Sequence, residues 1–166
     1  MPGDDLFDDV LASNDAYVAS FDRGGLQAQA ARGLAVVTCI DSRIDPLAML
    51  GLRAGDAKIV RNAGARATDD VLRTLVLATY LLGVRRAMVI AHTDCAMAHG
   101  TEDDVHSAIR SAGGPDTRSL VFQVTADQES ALRHDMQRIE SFPYLTHLNV
   151  GGFLYDVSSG ALHRVC

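Results

Sequence analysis

Residues 33–46 read GLAVVTCIDSRIDP, a continuous apolar run that ends on a cysteine and passes at once into charged residues. A short run with no polar face, opened by Gly33, fits a strand covered on both sides in a parallel sheet. Two further runs share that character. AKIVRNAG (57–64) ends in an Asn-Ala-Gly turn, and RRAMVIAH (85–92) leads into the polar loop TDCAMAHG (93–100). Between them, Thr68, Asp69 and Asp70 supply N-cap chemistry for a helix over 69–83, closed by Gly83. This alternation predicts an α/β fold: one domain over 1–166 with a mainly parallel central sheet flanked by helices.

Working outward, LFDDVLASNDAYVASFD (6–22) spaces its apolar residues at helical intervals and predicts an amphipathic helix in a peripheral N-terminal arm, 1–32. Asp45-Pro46 predicts a turn into a short helix, PLAMLGL. Helices are expected over 102–111 and 127–141, separated by GGP (113–115) and a short strand, SLVFQVT (119–125). HLNVGGFLYDV and ALHRV, around Ser158-Ser159-Gly160, predict an antiparallel C-terminal edge hairpin.

Composition narrows the function. With 48% hydrophobic and 22% charged residues the 166-residue chain is globular, and its net charge of -6 argues against nucleic-acid or anionic-membrane partners. The longest apolar segment, VLRTLVLATYLLGV (71–84), is broken by Arg73 and too short to span a bilayer. The acidic start, MPGDDLFDDV, does not read as a secretory signal, so a cytoplasmic location is expected. In such a reducing compartment three cysteines are ligands, catalytic thiols or core residues rather than a disulfide framework. Cys166, as the final residue, is expected to be a frayed surface thiol. The Asp pairs at 4–5 and 8–9 read as solvated charge or helix N-terminal charge, not a calcium loop.

Chemistry gathers at two strand ends. In open α/β sheets ligands bind beyond the carboxyl ends of strands, where the topology changes direction. Cys39 ends the first run, and His92 with Cys95 follows the third, so adjacent strands would unite two thiolates and an imidazole. That soft donor set suits zinc and leaves a fourth position open, as catalytic sites do. Asp41 and Arg43 alternate with Cys39, which in extended backbone would put all three side chains on one side. Asp41 could take the fourth position or accept a hydrogen bond from a water on the metal. A bidentate pair with Arg43 would favour the second. Zinc lowers the pKa of a bound water from 15.7 to about 7, and the resulting hydroxide needs a small electrophile.

Cys39-Ile-Asp41-Ser-Arg43 followed by His92-Thr-Asp-Cys95 resembles the signature of the β-class carbonic anhydrases, and the similarity runs from about Gly33 to Gly100 through GDAKIVRNAGAR (55–66). The resemblance implies one zinc per chain held by Cys39, His92 and Cys95, with Asp41 a fourth ligand only in a closed state and paired with Arg43 in an open one. It implies that Asp41 orients a zinc-bound hydroxide that attacks carbon dioxide to give bicarbonate, in a pocket lined by backbone around Asn62, Ala63 and Gly64. It also implies a homodimer or higher even oligomer whose N-terminal helix embraces the partner. Where the family usually has glycine after its second cysteine this chain has Ala96, whose methyl group would crowd a tight turn beside the metal. The chain looks like the compact subgroup, whose relatives include carbonyl sulfide hydrolases with the same apparatus. A zinc-binding module without turnover is the reading from another class. His99 and His106 are candidate proton relays.

Overall fold

The structure is a computed structural model and describes residues 6–166. Asp4 and Asp5 lie outside the described residues. The elements in chain order are α1 (Asp8–Ala19), β1 (Leu34–Cys39), β2 (Ala57–Asn62), α2 (Asp69–Leu81), β3 (Arg86–His92), α3 (Glu102–Ser111), α4 (Gln128–Glu140), β4 (Asn149–Tyr155) and β5 (Leu162–Arg164). The five strands form one sheet in the order β2-β1-β3-β4-β5, parallel except for the β4–β5 edge hairpin. Chain order runs outward from β1 to β2 on one side and to β3 on the other. The carboxyl ends of β1 and β3 therefore flank the switch point.

The continuous apolar reading of β1 follows from its central place. All six of its residues are buried. Ala35 and Val37 join Ala87 and Val89 in a core closed by Val71, Leu72, Leu75 and Ala78 of α2 and by Leu132, Met136 and Ile139 of α4. Leu34, Val36 and Ile90 point the other way, onto Met49, Leu50 and Leu52. No residue of α1–α4 belongs to that second cluster, so α2 and α4 cover one face of the sheet and a short turn of helix, Ala48–Leu50, covers part of the other. Thr38, the polar residue inside β1, is satisfied across the sheet by donating to the Ile90 carbonyl at 3.0 Å.

Local signals mostly act as the sequence predicts. Thr68 caps α2, accepting from the Val71 amide, and Gly83 follows the helix at φ 73°. Thr101 and Asp104 form a reciprocal capping box on α3. Two expectations fail, and the N-terminal helix forms as expected but packs on nothing among the described residues of the chain. Residues 119–125 form no strand: Gln123 adopts φ 63°, and the Glu102 carboxylate accepts from the Phe122 and Val124 amides, replacing any ladder partner. Helix α1 is peripheral, but none of its residues is buried, so its apolar side chains have no face to pack on within one chain. Cys166 is not frayed; it is half-buried against the main core, and its carbonyl accepts from the Gly152 amide at 2.9 Å.

Leu75, fully buried between α2 and the sheet, tests the core directly. Leu75→Ala is expected to cost about 2–5 kcal/mol, read as a lower midpoint in urea unfolding with an unchanged slope.

Candidate metal centre

Cys39 is the last residue of β1 and His92 the last of β3, so two candidate ligands are delivered by strands that pair directly, with Thr38 opposite Ile90. Cys95 arrives three residues later, after Asp94 turns the backbone at φ 53°. The side-chain ligand atoms of Cys39, His92 and Cys95 lie within 4.8 Å of one another, and all three residues are buried.

The imidazole shows what the cluster is prepared for. His92 Nδ1 sits 2.8 Å from the Thr93 carbonyl, which can only accept, so Nδ1 carries the proton and Nε2 presents its lone pair. That Nε2 is buried without a hydrogen-bond partner among the described residues, an arrangement that costs free energy unless a cation accepts the lone pair. Gln128 at the start of α4 donates to the His92 carbonyl at 2.9 Å, and the Gly64 amide donates to Cys39 Sγ at 3.4 Å. Burial, ahead of the neighbouring Cys39, pushes the Cys95 thiol up to about 11. A metal cation reverses that preference by stabilising the thiolate.

Asp41 and Arg43 meet, but not by extended alternation. The strand ends at Cys39, and a turn brings the Arg43 amide to Asp41 Oδ1 at 2.9 Å. The guanidinium then grips both carboxylate oxygens, Nε to Oδ1 at 3.0 Å and the second terminal nitrogen to Oδ2 at 2.7 Å. Arg43 also donates to the Asp94 carboxylate at 2.7 Å and to the Asp94 carbonyl at 2.9 Å, so it crosslinks the loops after β1 and β3. This hold keeps the Asp41 carboxyl well below the usual carboxylate range. Asp41 Oδ2 lies 3.9 Å from His92 Nε2, at the rim of the ligand cluster and outside it.

Of the expected pocket residues, Gly64 lines a cavity of about 20 Å³ against Cys95, room for a water. Asn62 does not line it; its amide is spent holding the Arg66 amide and carbonyl at 2.8 Å. Ala63 shares that tight turn. Ala96 is exposed and outside the left-handed region, so its backbone conformation does not require glycine. His99 is exposed, 3.7 Å from Asp94, whereas His106 is buried on α3 and engaged with Thr117 and Phe122. Asp94 and Gln128 escaped the sequence reading. Asp94 at least sits inside the His-Thr-Asp-Cys motif, but nothing in the sequence ties Gln128 to a carbonyl 36 positions away.

The family model for carbonic anhydrase matches residues 34–138, more than half of the chain. The chain belongs to the β-carbonic anhydrase family. It is 38% identical over 159 residues to "Beta-carbonic anhydrase 1" of Mycobacterium tuberculosis, covering 95% of this chain and 96% of that one. The carbonic anhydrase of Streptococcus mutans superimposes with a TM-score of 0.90 at 33% identity, over 98% of each chain. A carbon disulfide hydrolase of Saccharolobus solfataricus is 45% identical over 74 residues, 45% of this chain and 36% of that relative. β-Carbonic anhydrases are zinc enzymes, and the Cys39, His92 and Cys95 donor set fits that metal.

Because the Cys95 thiol holds its proton strongly before a metal arrives, zinc uptake must displace it, and apparent zinc affinity should rise with pH through neutrality. Calorimetric zinc titrations in buffers of different ionisation enthalpy should show at least one proton released per ion bound.

Proposed function

We propose that the chain is a zinc-dependent carbonic anhydrase that interconverts carbon dioxide and bicarbonate. The observation that carries the reading is the pairing of a three-ligand cluster with a carboxylate kept beside it, not in it, by Arg43. Zinc, when bound, supplies a Lewis acid that ionises water near neutral pH. Cys39, His92 and Cys95 would hold the metal and leave one position for solvent. Asp41, fixed as an anion, would accept a hydrogen bond from the reacting water and so aim its remaining lone pair at the substrate. Arg43 would keep Asp41 charged and off the metal. The turn at Asn62-Ala63-Gly64 would shape the pocket, with Ala96 at its edge.

A second reading has an observation of its own, the 45% identity to a carbon disulfide hydrolase over 74 residues. Carbonyl sulfide and carbon disulfide are linear electrophiles built like carbon dioxide, and the same site could hydrolyse them with release of sulfide. The near-complete coverage of the carbonic anhydrase relatives favours carbon dioxide. A zinc module without turnover would have no use for the Asp41–Arg43 fork.

The surface supports an assembly. Among the described residues, α1 offers Val10, Leu11, Tyr17 and Val18 to solvent with none of them buried, and a second copy of the chain is the occupant that would cover them. A homodimer or higher even oligomer is therefore part of the proposal. No helix of the described residues is long and apolar enough to cross a membrane. A cytoplasmic setting would keep Cys39 and Cys95 reduced for the metal.

Two measurements test this. Stopped-flow carbon dioxide hydration by the zinc-loaded protein should be fast and fall at least about 100-fold in Asp41→Ala; selective sulfide release from carbonyl sulfide or carbon disulfide would transfer the assignment to the second reading, and silence on all three substrates would leave the zinc module. Light scattering on Leu11→Asp with Val18→Asp should show a smaller particle than the wild type, and an unchanged mass would remove α1 from the interface.

A further inference from the structure

Arg66 and Asp135 form an ion pair that the proposed chemistry does not use. Their side chains are only 13% and 5% exposed, and Nε meets Oδ2 at 2.6 Å while a terminal nitrogen meets Oδ1 at 3.2 Å. Burying two charges is costly, and such a pair adds little net stability over apolar residues of similar volume. A pair of this kind invites a question about what it holds in place.

Its connections lead to all three zinc ligands. Arg66 belongs to the turn whose Gly64 amide donates to Cys39 Sγ, and Asn62 locks that turn by gripping Arg66 at both backbone groups. Asp135 is on α4, the helix whose Gln128 donates to the His92 carbonyl. The remaining Arg66 nitrogen donates to the Gln123 carbonyl at 2.8 Å, holding that residue at φ 63°, a backbone conformation that side-chain-bearing residues rarely adopt. Two residues on, the Thr125 amide donates to the Met97 carbonyl at 3.0 Å, which anchors the loop carrying Cys95. Gly64 completes the circuit: a Cβ there would come within 3.2 Å of Met97.

We propose that the Arg66–Asp135 pair is a positioning device for the metal centre, fixing the 62–66 turn, the 119–125 strap and α4 relative to one another so that Cys39, His92 and Cys95 are preorganised for zinc. The inference rests on the zinc assignment above but not on the substrate. Groups that orient metal ligands from outside typically change metal affinity by about 10- to 100-fold. Backbone strain at Gln123 fits the same picture, since a rarely populated conformation persists only where its surroundings enforce it.

The test measures zinc affinity without turnover, by competition with a chromophoric chelator, alongside the melting temperature of the metal-free protein. Asp135→Asn keeps the shape and removes the charge. Arg66→Met combined with Asp135→Leu replaces the pair by apolar groups, which protects the fold if the single variant does not survive. Arg66→Lys keeps a cation but loses the three-way fork. Zinc dissociation constants raised about tenfold or more in variants whose metal-free melting temperature matches wild type, with partial recovery in Arg66→Lys, would support the positioning role. Constants within twofold of wild type in the folded double variant would reduce the pair to ordinary structural packing and overturn it. A wild-type protein that takes up no zinc would overturn this inference and the zinc reading together, whereas a wild type that binds zinc but hydrates no carbon dioxide would sink only the substrate assignment.

Discussion

The direct parallel pairing of β1 with β3 is the constraint on which the site depends. It places Cys39 and His92 at neighbouring strand ends, on the side where the sheet changes direction. Backbone hydrogen bonds, not side-chain contacts, set that separation, so the geometry of the candidate ligands is inherited from the sheet ladder. Cys95 needs only a short, left-handed step at Asp94 to join them. Burial then makes the arrangement chemically demanding. An imidazole lone pair and two thiols shut away from water are a poor use of a core unless a cation satisfies them, and this is why the cluster reads as a metal centre and not as packing.

A second constraint governs what the centre can do. Aspartate beside a zinc site has two stable outcomes, ligation or hydrogen bonding to solvent, and the choice depends on what else competes for the carboxylate. Arg43 competes well because its planar fork matches both oxygens and because Asp94 holds its other edge from the far loop. A lysine at that position would supply charge without the geometry. The arrangement observed is therefore the one with Asp41 drawn to the side by Arg43; with zinc bound, the proposed mechanism would have solvent take the remaining position.

Much of this was legible in the sequence because it is written in local patterns. Apolar runs ended by glycine, cysteine or histidine mark strands with unusual exits, and the N-cap at Thr68 and the edge hairpin follow from residue chemistry near at hand. What was not legible depends on distant partners. Residues 119–125 have strand-like composition, but Glu102 captures their amides and Arg66 fixes their bend, and neither interaction leaves a trace in the segment itself. The alternation of Cys39, Asp41 and Arg43 suggested the right neighbours for the wrong reason, since a turn and not an extended strand brings the last two together. Cys166 looked frayed because terminal residues usually are; here two hydrogen bonds to Gly152, a residue with no side chain in the way, keep it against the core.

The sheet is unevenly covered within one chain. Helices α2 and α4 close one face, whereas on the other Leu34, Val36 and Ile90 pack against the short segment around Met49 to Leu52 and against residues of the neighbouring strands. Phe153 and Met88 at that face are partly buried, and α1 stands out with its apolar residues in solvent. A single chain thus buries Leu34, Val36 and Ile90 but leaves Met88 and Phe153 partly exposed on that face and the apolar residues of α1 in solvent. The hydrophobic effect favours any arrangement that covers both. In the proposed even oligomer a second copy would supply the same arm and the same face by symmetry, so an isologous pairing would cover apolar surface of each copy with that of the other. In that proposal the exposed apolar residues of α1 and the partly covered residues of the sheet would both find cover in the partner, which is why α1 packs on nothing among the described residues of its own chain.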